Sequence, residues 1–259
     1  MPTRRGSELN PAKTAYGLYA TVAFVLVILL AFSPLLIAMP WLPARRFIGR
    51  WAVRCWLLAI GVGFRVRGIE KLPVGPCVVV CNHASYVDGI VLTAALPERF
   101  TFLVQHRAEQ WPYVGLIIRR MGVRFVNREN PRAAARATLG LIREARRGGS
   151  LAIFPEGTFR KEPGLLPFFS GAFLIAAKTG RPVVPAVMRG TRRFFQDGAR
   201  WPSWSSIEIE LFDPVLATGL GRADADRLKK SVSGLIEARC GEAEEILADE
   251  IGCGESGAV

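Results

Sequence analysis

Cys77-Val78-Val79-Val80-Cys81-Asn82-His83-Ala84-Ser85-Tyr86-Val87-Asp88 opens with five apolar residues and closes on a histidine and an aspartate. An unbroken run of this kind suits a strand buried on both faces, as in a parallel sheet. It stops at Asn82-His83, and Asp88 follows five residues after the histidine. Residues five apart on one helix do not face each other, because facing neighbours sit three or four apart. His83 and Asp88 therefore meet only if His83 precedes a helix whose first turn carries Asp88. Ser85 fits that corner as an N-cap, with Asp88 in a capping-box-like S-x-x-D. A histidine oriented by a carboxylate at the end of a strand is able to take a proton from a hydroxyl. The plain alternative is a helix cap beside a loop histidine, and the pair alone does not decide.

Downstream, short apolar runs alternate with amphipathic ones. Strands are expected at 77–81, 100–104, 123–126, 151–155, 183–188 and 207–212, and helices at 86–95, 111–120, 131–147, 170–179 and 222–248. Ile207, Ile209 and Leu211 alternate with Glu208 and Glu210, as in an edge strand. Asn130-Pro131 supplies an N-cap and first helical residue, and Gly148-Gly149 an end. This alternation specifies an α/β fold, a mainly parallel sheet flanked by helices. Ligands of such sheets bind beyond the carboxyl ends of the strands.

Upstream, Tyr16 to Met39 carries no charge, which is long enough for a membrane span. The polar leader and the length of the run favour a retained anchor over a cleaved signal. Trp41, Arg45, Arg46, Arg50, Trp51 and Arg54 read as an interfacial belt. Cys55 to Phe64 is too short to span, and reads as an interfacial segment or as a helix packed on the domain. The expected division is a membrane-anchoring segment over 1–64 and a cytoplasm-facing domain over 65–259. The net charge of +12 attracts polyanions: nucleic acid, anionic lipid or phosphorylated substrates. No nucleic-acid-binding motif accompanies it, and the apolar anchor argues for lipid. Five cysteines without a C-x-x-C pair indicate neither a disulfide framework nor a zinc site, so no metal is expected.

Three further strand ends carry unusual residues. Gly122-Val123-Arg124-Phe125-Val126-Asn127-Arg128 ends on an arginine able to fork onto a phosphate. Ile153-Phe154-Pro155-Glu156-Gly157-Thr158 ends on a carboxylate, a glycine that lets backbone approach a ligand, and a hydroxyl, with Arg160 and Lys161 beside it. Val183-Val184-Pro185-Ala186-Val187 is a strand interrupted by proline, a residue confined to edges, strand starts or bulges. Read singly, each is also an ordinary turn, surface arginine or strand.

Taken in order, these four stretches resemble the four motifs of the glycerolipid acyltransferase family, whose bacterial members include 1-acylglycerol-3-phosphate acyltransferases. Asn82-His83-x4-Asp88 resembles the first motif, Gly122 to Arg128 the second, Phe154 to Thr158 the third and Val184-Pro185 the fourth. The resemblance covers about residues 65–215, and the five-residue string F-P-E-G-T is its most specific element. It implies His83 as general base and Asp88 as the orienting partner. Asn82, Ser85, Arg128, Glu156, Gly157, Thr158 and Arg160 are then expected to bind substrate. Phe159 departs from the pattern, since many members carry arginine directly after the threonine; the acceptor head group stays open at that point.

The resemblance implies direct acyl transfer without a cofactor. A lysophospholipid gives up its sn-2 hydroxyl proton to His83, and the oxygen attacks the thioester of acyl-CoA or acyl carrier protein. The expected partners are that acceptor, that donor and the bilayer. Another lyso-lipid acceptor, with an ethanolamine or ornithine head group, is the nearer alternative. A non-catalytic membrane-anchored module that binds anionic lipid is the more distant one. A serine hydrolase is disfavoured because the chain has no G-x-S-x-G elbow.

Overall fold

The computed structural model describes residues 11–127 and 130–241. Among these, seven strands form one sheet: β1 (Phe64–Arg67), β2 (Val78–Cys81), β3 (Phe100–Gln105), β4 (Arg124–Val126), β5 (Ser150–Ile153), β6 (Val183–Arg189) and β7 (Ile207–Leu211). Their spatial order is β1-β7-β6-β2-β5-β3-β4. Every neighbouring pair is parallel except β6 and β7, so β1 and β7 run against the other five. The apolar run at Val78–Cys81 lies at the centre, between β5 and β6, and is fully buried. Each such valine contributes on the order of 1.5–2 kcal/mol on leaving water.

Alternate residues of β2 face opposite layers. Val79 and Cys81 pack with Val53, Trp56 and Leu57 of α3 (Leu42–Ala59) and with Val91 and Leu92 of α4 (Asp88–Ala95). Val78 and Val80 pack with Leu141 and Ile142 of α6 (Pro131–Arg146), Phe173 of α7 (Gly171–Thr179) and Val232 and Ile236 of α9 (Arg222–Arg239). Two short helices, α5 (Val114–Arg120) and α8 (Thr191–Phe194), complete the layers.

Two sequence expectations change. β7 alternates but is not an edge, because β1 pairs beyond it in parallel register from Phe64↔Ile207 to Arg67↔Glu210. Its polar face is explained by ion pairs instead: Glu208 with Arg67 and Glu210 with Arg189. Pro185 sits in an interior strand, yet the ladder to β7 ends at Ala186↔Leu211. Its missing N–H therefore falls past the last paired residue, and its carbonyl accepts from Phe212 N at 2.9 Å. The strand β1 was not anticipated, since Phe64-Arg65-Val66-Arg67 is half charged and too short to read as a strand.

α1 (Pro11–Phe24), a π-helical stretch (Val25–Phe32) and α2 (Ser33–Ala38) run on as one 28-residue helix, in which an 18-residue window reaches a mean hydropathy of 2.7. By length and composition it is able to cross a membrane. It is also tied to the domain at both ends. The Tyr16 and Tyr19 hydroxyls donate to Ile60 O and Ala59 O, and Trp56 Nε1 donates to Ala20 O. Near the far end, Tyr113 donates to Leu29 O at 3.0 Å and meets the Ser33 hydroxyl, while Arg120 donates to Met39 O at 2.9 Å. Tyr113 is the one described non-glycine residue with positive φ, at 35°. These bonds hold it in a backbone region that costs on the order of 1–3 kcal/mol.

Cys55 to Phe64 proves to be the end of α3 and the start of β1, packed on the sheet. The expected belt of arginines is also only partly a belt. Arg46 is 9% exposed and turns inward, donating to Met121 O, Glu98 O, Gly122 O and Thr101 Oγ1. A planar fork with five N–H donors suits such a cluster of carbonyls, which no apolar helix residue is able to satisfy. Arg50, by contrast, makes a half-exposed pair with Glu98. Arg46→Met should lower stability by about 2–3 kcal/mol by stranding buried carbonyls, while Arg50→Met should cost under about 1 kcal/mol. Melting of both variants in detergent checks the contrast; equal midpoints would contradict it.

Candidate active site

The corner after β2 is closed by Asn82. Its amide donates to Met188 O at 3.0 Å and accepts from Met188 N at 2.7 Å, so the side chain continues the ladder between β2 and β6. The chain then turns, and Asp88 begins α4. One carboxylate oxygen, Asp88 Oδ2, accepts from Ala84 N at 2.6 Å and Ser85 N at 2.8 Å and meets His83 Nδ1 at 2.8 Å. Asp88 is fully buried, and the His83 side chain is 17% exposed. When Nδ1–H donates to the carboxylate, a neutral imidazole has its lone pair on Nε2. That is the protonation state a general base requires.

Glu156 supports the same corner from β5, the neighbouring strand. Its Oε1 accepts from His83 N and its Oε2 from Leu166 N, each at 2.7 Å. Phe154 stacks on the imidazole at 4.5 Å and 22°, and Phe159 meets it edge-on at 4.7 Å. The ring is therefore fixed by a carboxylate on one nitrogen and by aromatic surface around it.

The buried thiols are not rival nucleophiles. Burial, then the Asp88 and Glu156 carboxylates, push Cys81 well above the usual thiol range. Burial likewise pushes Cys77 up to about 11. Both stay protonated near neutrality, and a thiol without its thiolate form is inert.

Residues 63–189 match a family model described as Acyltransferase. Residues 63–189 are thus an acyltransferase-family domain. The human protein named 1-acyl-sn-glycerol-3-phosphate acyltransferase beta is 33% identical over 181 residues, 69% of this chain and 65% of that protein. A Borreliella burgdorferi protein named 1-acyl-sn-glycerol-3-phosphate acyltransferase is 31% identical over 163 residues, 62% of this chain and 65% of its own length. The chain thus spans slightly under two thirds of each of these relatives. A Haemophilus influenzae protein of the same name is 28% identical, over 78% of this chain and 83% of that one. In structure, the Thermotoga maritima 1-acyl-sn-glycerophosphate (LPA) acyltransferase PlsC is similar, with a TM-score of 0.71 at 21% identity, over 91% of this chain and 96% of that one. That likeness concerns the fold.

Within the acyltransferase domain the expected site residues separate into two groups. His83, Asp88, Glu156 and Gly157 come together, since β2 and β5 are neighbours. Gly157 has φ +79°, which glycine adopts without strain, and its N–H donates to Phe154 O. Asn82, Ser85 and Glu156 do not present substrate-binding groups as expected. They are 1%, 0% and 2% exposed, and their side chains hold Met188, Phe195 O and the His83 and Leu166 amides. Ser85 is also not the N-cap, because Val87 occupies that position; only the Ser85 N to Asp88 half of the capping box forms. Thr158 and Arg160 lie on the exposed side, with Arg160 Nη2 on Pro163 O. Arg128 lies outside the described residues. β4, which leads to it, is three positions from β2 in the sheet, about 14 Å at the usual strand spacing.

Arg192 was not anticipated. It is 7% exposed, and its Nη1 donates to the carbonyls of Arg160, Lys161 and Glu162 at 2.7, 3.0 and 3.1 Å. It pins the loop that follows the glutamate–glycine turn, and no spacing in Gly190-Thr191-Arg192-Arg193 foretells this. His106 plays no part in the dyad; it is half-exposed and paired with Glu109. Trp111 and Tyr113 are exposed.

Because Glu156 bridges two backbone amides, a carboxamide there presents one acceptor and one donor to two donors. Glu156→Gln should therefore lower stability by about 1–3 kcal/mol. It should also reduce turnover, by displacing His83 while leaving it chemically intact. Melting and steady-state rates measured together check this, and an unchanged rate would contradict it.

Proposed function

We propose that this chain moves a fatty acyl group from acyl-CoA or acyl carrier protein to the free sn-2 hydroxyl of 1-acylglycerol-3-phosphate, forming phosphatidic acid. The observation that carries the reading is the 2.8 Å contact of His83 Nδ1 with a buried Asp88, beyond the carboxyl end of the central strand. The names of the curated relatives supply the substrate class.

In this mechanism His83 Nε2 takes the acceptor hydroxyl proton as the oxygen attacks the thioester carbonyl. The new C–O bond forms, the C–S bond breaks, and the proton on His83 leaves with the thiolate. The enzyme needs no covalent intermediate and no cofactor beyond the donor. Asp88 holds the tautomer and balances the imidazolium as it forms. Asn82, Ser85 and Glu156 act as positioning residues, whereas Gly157, Thr158 and Arg160 meet the acceptor's glycerol phosphate, a role that the motif resemblance also gives to Arg128. Arginine suits that role through its fork onto phosphate oxygens.

The setting fits a substrate that resides in a bilayer. The outer face of the N-terminal helix exposes Leu18, Val22, Leu26 and Leu30, and α3 exposes Phe47, Trp51 and Leu58. A helix held to the domain at both ends, over about 42 Å of its own length, draws the domain with it. We therefore place the helix in the leaflet against which the domain rests, on the cytoplasmic side.

The test is a micelle or vesicle assay with lysophosphatidic acid and competing lyso-lipids, each with acyl-CoA and acyl carrier protein. His83→Ala should lower turnover by about 10²–10⁴-fold while liposome binding stays at the parent level. Parent-rate product formation by His83→Ala would refute the mechanism. A product made only from an ethanolamine- or ornithine-bearing acceptor would refute the head group.

A further inference from the structure

One face of α6 has a composition that the transfer chemistry does not explain. Arg132, Arg136, Arg143 and Arg146 lie on this helix, and Arg147 follows as its C-terminal residue. At 3.6 residues per turn, the five fall within an arc of about 100° and extend over about 22 Å. All five are exposed, and Leu139, 54% exposed, stands among them. No guanidinium of the five has a hydrogen bond or ion pair among the described residues. The one acidic residue of the helix, Glu144, lies off this arc and holds Arg124 Nε at 2.7 Å. An uncompensated row of like charges repels itself and lowers stability unless a partner of opposite sign meets it.

The place of the row in the fold narrows the partner. Leu141, Ile142 and Ala145 on the inner face of α6 pack with Val78 and Val80, whereas the N-terminal helix and α3 pack with Val79 and Cys81. The arginines therefore lie on the opposite side of the sheet from Leu18, Leu26, Trp51 and Leu58, the apolar surface facing lipid. A bilayer gathered on that surface does not reach them. Nor does the span suit coenzyme A, whose phosphates occupy only part of such a length. A protein surface does. The helix also begins directly after β4, at Asn130, on the same edge of the sheet as the carboxyl end of β2.

We propose that the outward face of α6 docks an acidic carrier protein that presents the acyl group as a thioester. Acidic side chains of the carrier meet the arginine row, Leu139 supplies a central apolar contact, and the N-terminal end of α6 directs the thioester arm toward His83. This rests on the acyl-transfer reading above and names the donor that the surface favours. Electrostatic docking of this type acts mainly on encounter and partner choice, and weakens with salt.

The test is Arg132→Glu/Arg136→Glu/Arg143→Glu in the full chain. With acyl carrier protein as donor, KM should rise about tenfold or more with kcat retained, and added salt should abolish most of the difference. Kinetics with acyl-CoA and binding to anionic vesicles should stay within about twofold of the parent, which also shows that the variant is folded. Carrier-protein binding, titrated by fluorescence anisotropy, is read without turnover. A chain that binds the carrier through this face but transfers nothing would refute the acyl-transfer reading and leave the dock standing. Unchanged carrier affinity in the variant would overturn the dock. Equal losses with both donors, or lost vesicle binding, would assign the row to the fold or to the membrane and overturn it as well.

Discussion

A single buried oxygen, Asp88 Oδ2, organises the corner on which the chemistry depends. It receives two backbone amides and faces the imidazole, so the turn from β2 to α4 and the orientation of His83 are one structure. A carboxylate removed from water is tolerated only when it is hydrogen-bonded. It also stands in the first turn of a helix, where negative charge is favoured. Any sequence change that relocates the turn therefore also removes the base.

Around this corner the protein commits polar side chains to its own backbone. Asn82 extends a ladder, Ser85 holds Phe195 O, Glu156 ties His83 N to Leu166 N, and Arg192 gathers three carbonyls. Three residues expected to touch substrate, Asn82, Ser85 and Glu156, thus hold the backbone around His83 instead. Rigid placement is worth this commitment, because catalysis by a positioned base falls steeply when the reacting atoms shift by an ångström. Arg46 performs the same service farther out, joining α3 to the turns that precede β3 and β4.

The strand-to-helix corner and the parallel core were legible in the sequence because both depend on local pattern. Five apolar residues specify a strand buried on two faces, and an H-x4-D interval allows contact only across a helix start. Burial of Glu156 was not legible, since a carboxylate in a turn reads as exposed until the neighbouring strand is known. Nor was the inward course of Arg46, which depends on carbonyls more than fifty residues away. β1 escaped because alternating Phe64-Arg65-Val66-Arg67 gains its place only by pairing with β7 far along the chain.

The most direct test of the account is the rate of acyl transfer by Asp88→Asn, measured beside its melting midpoint and the KM for the acceptor. If the carboxylate sets the tautomer of His83, turnover falls by about 10² or more, with KM near the parent value and a cooperative melt. Turnover at the parent rate in a folded Asp88→Asn chain would contradict the claim that this pair supplies the base.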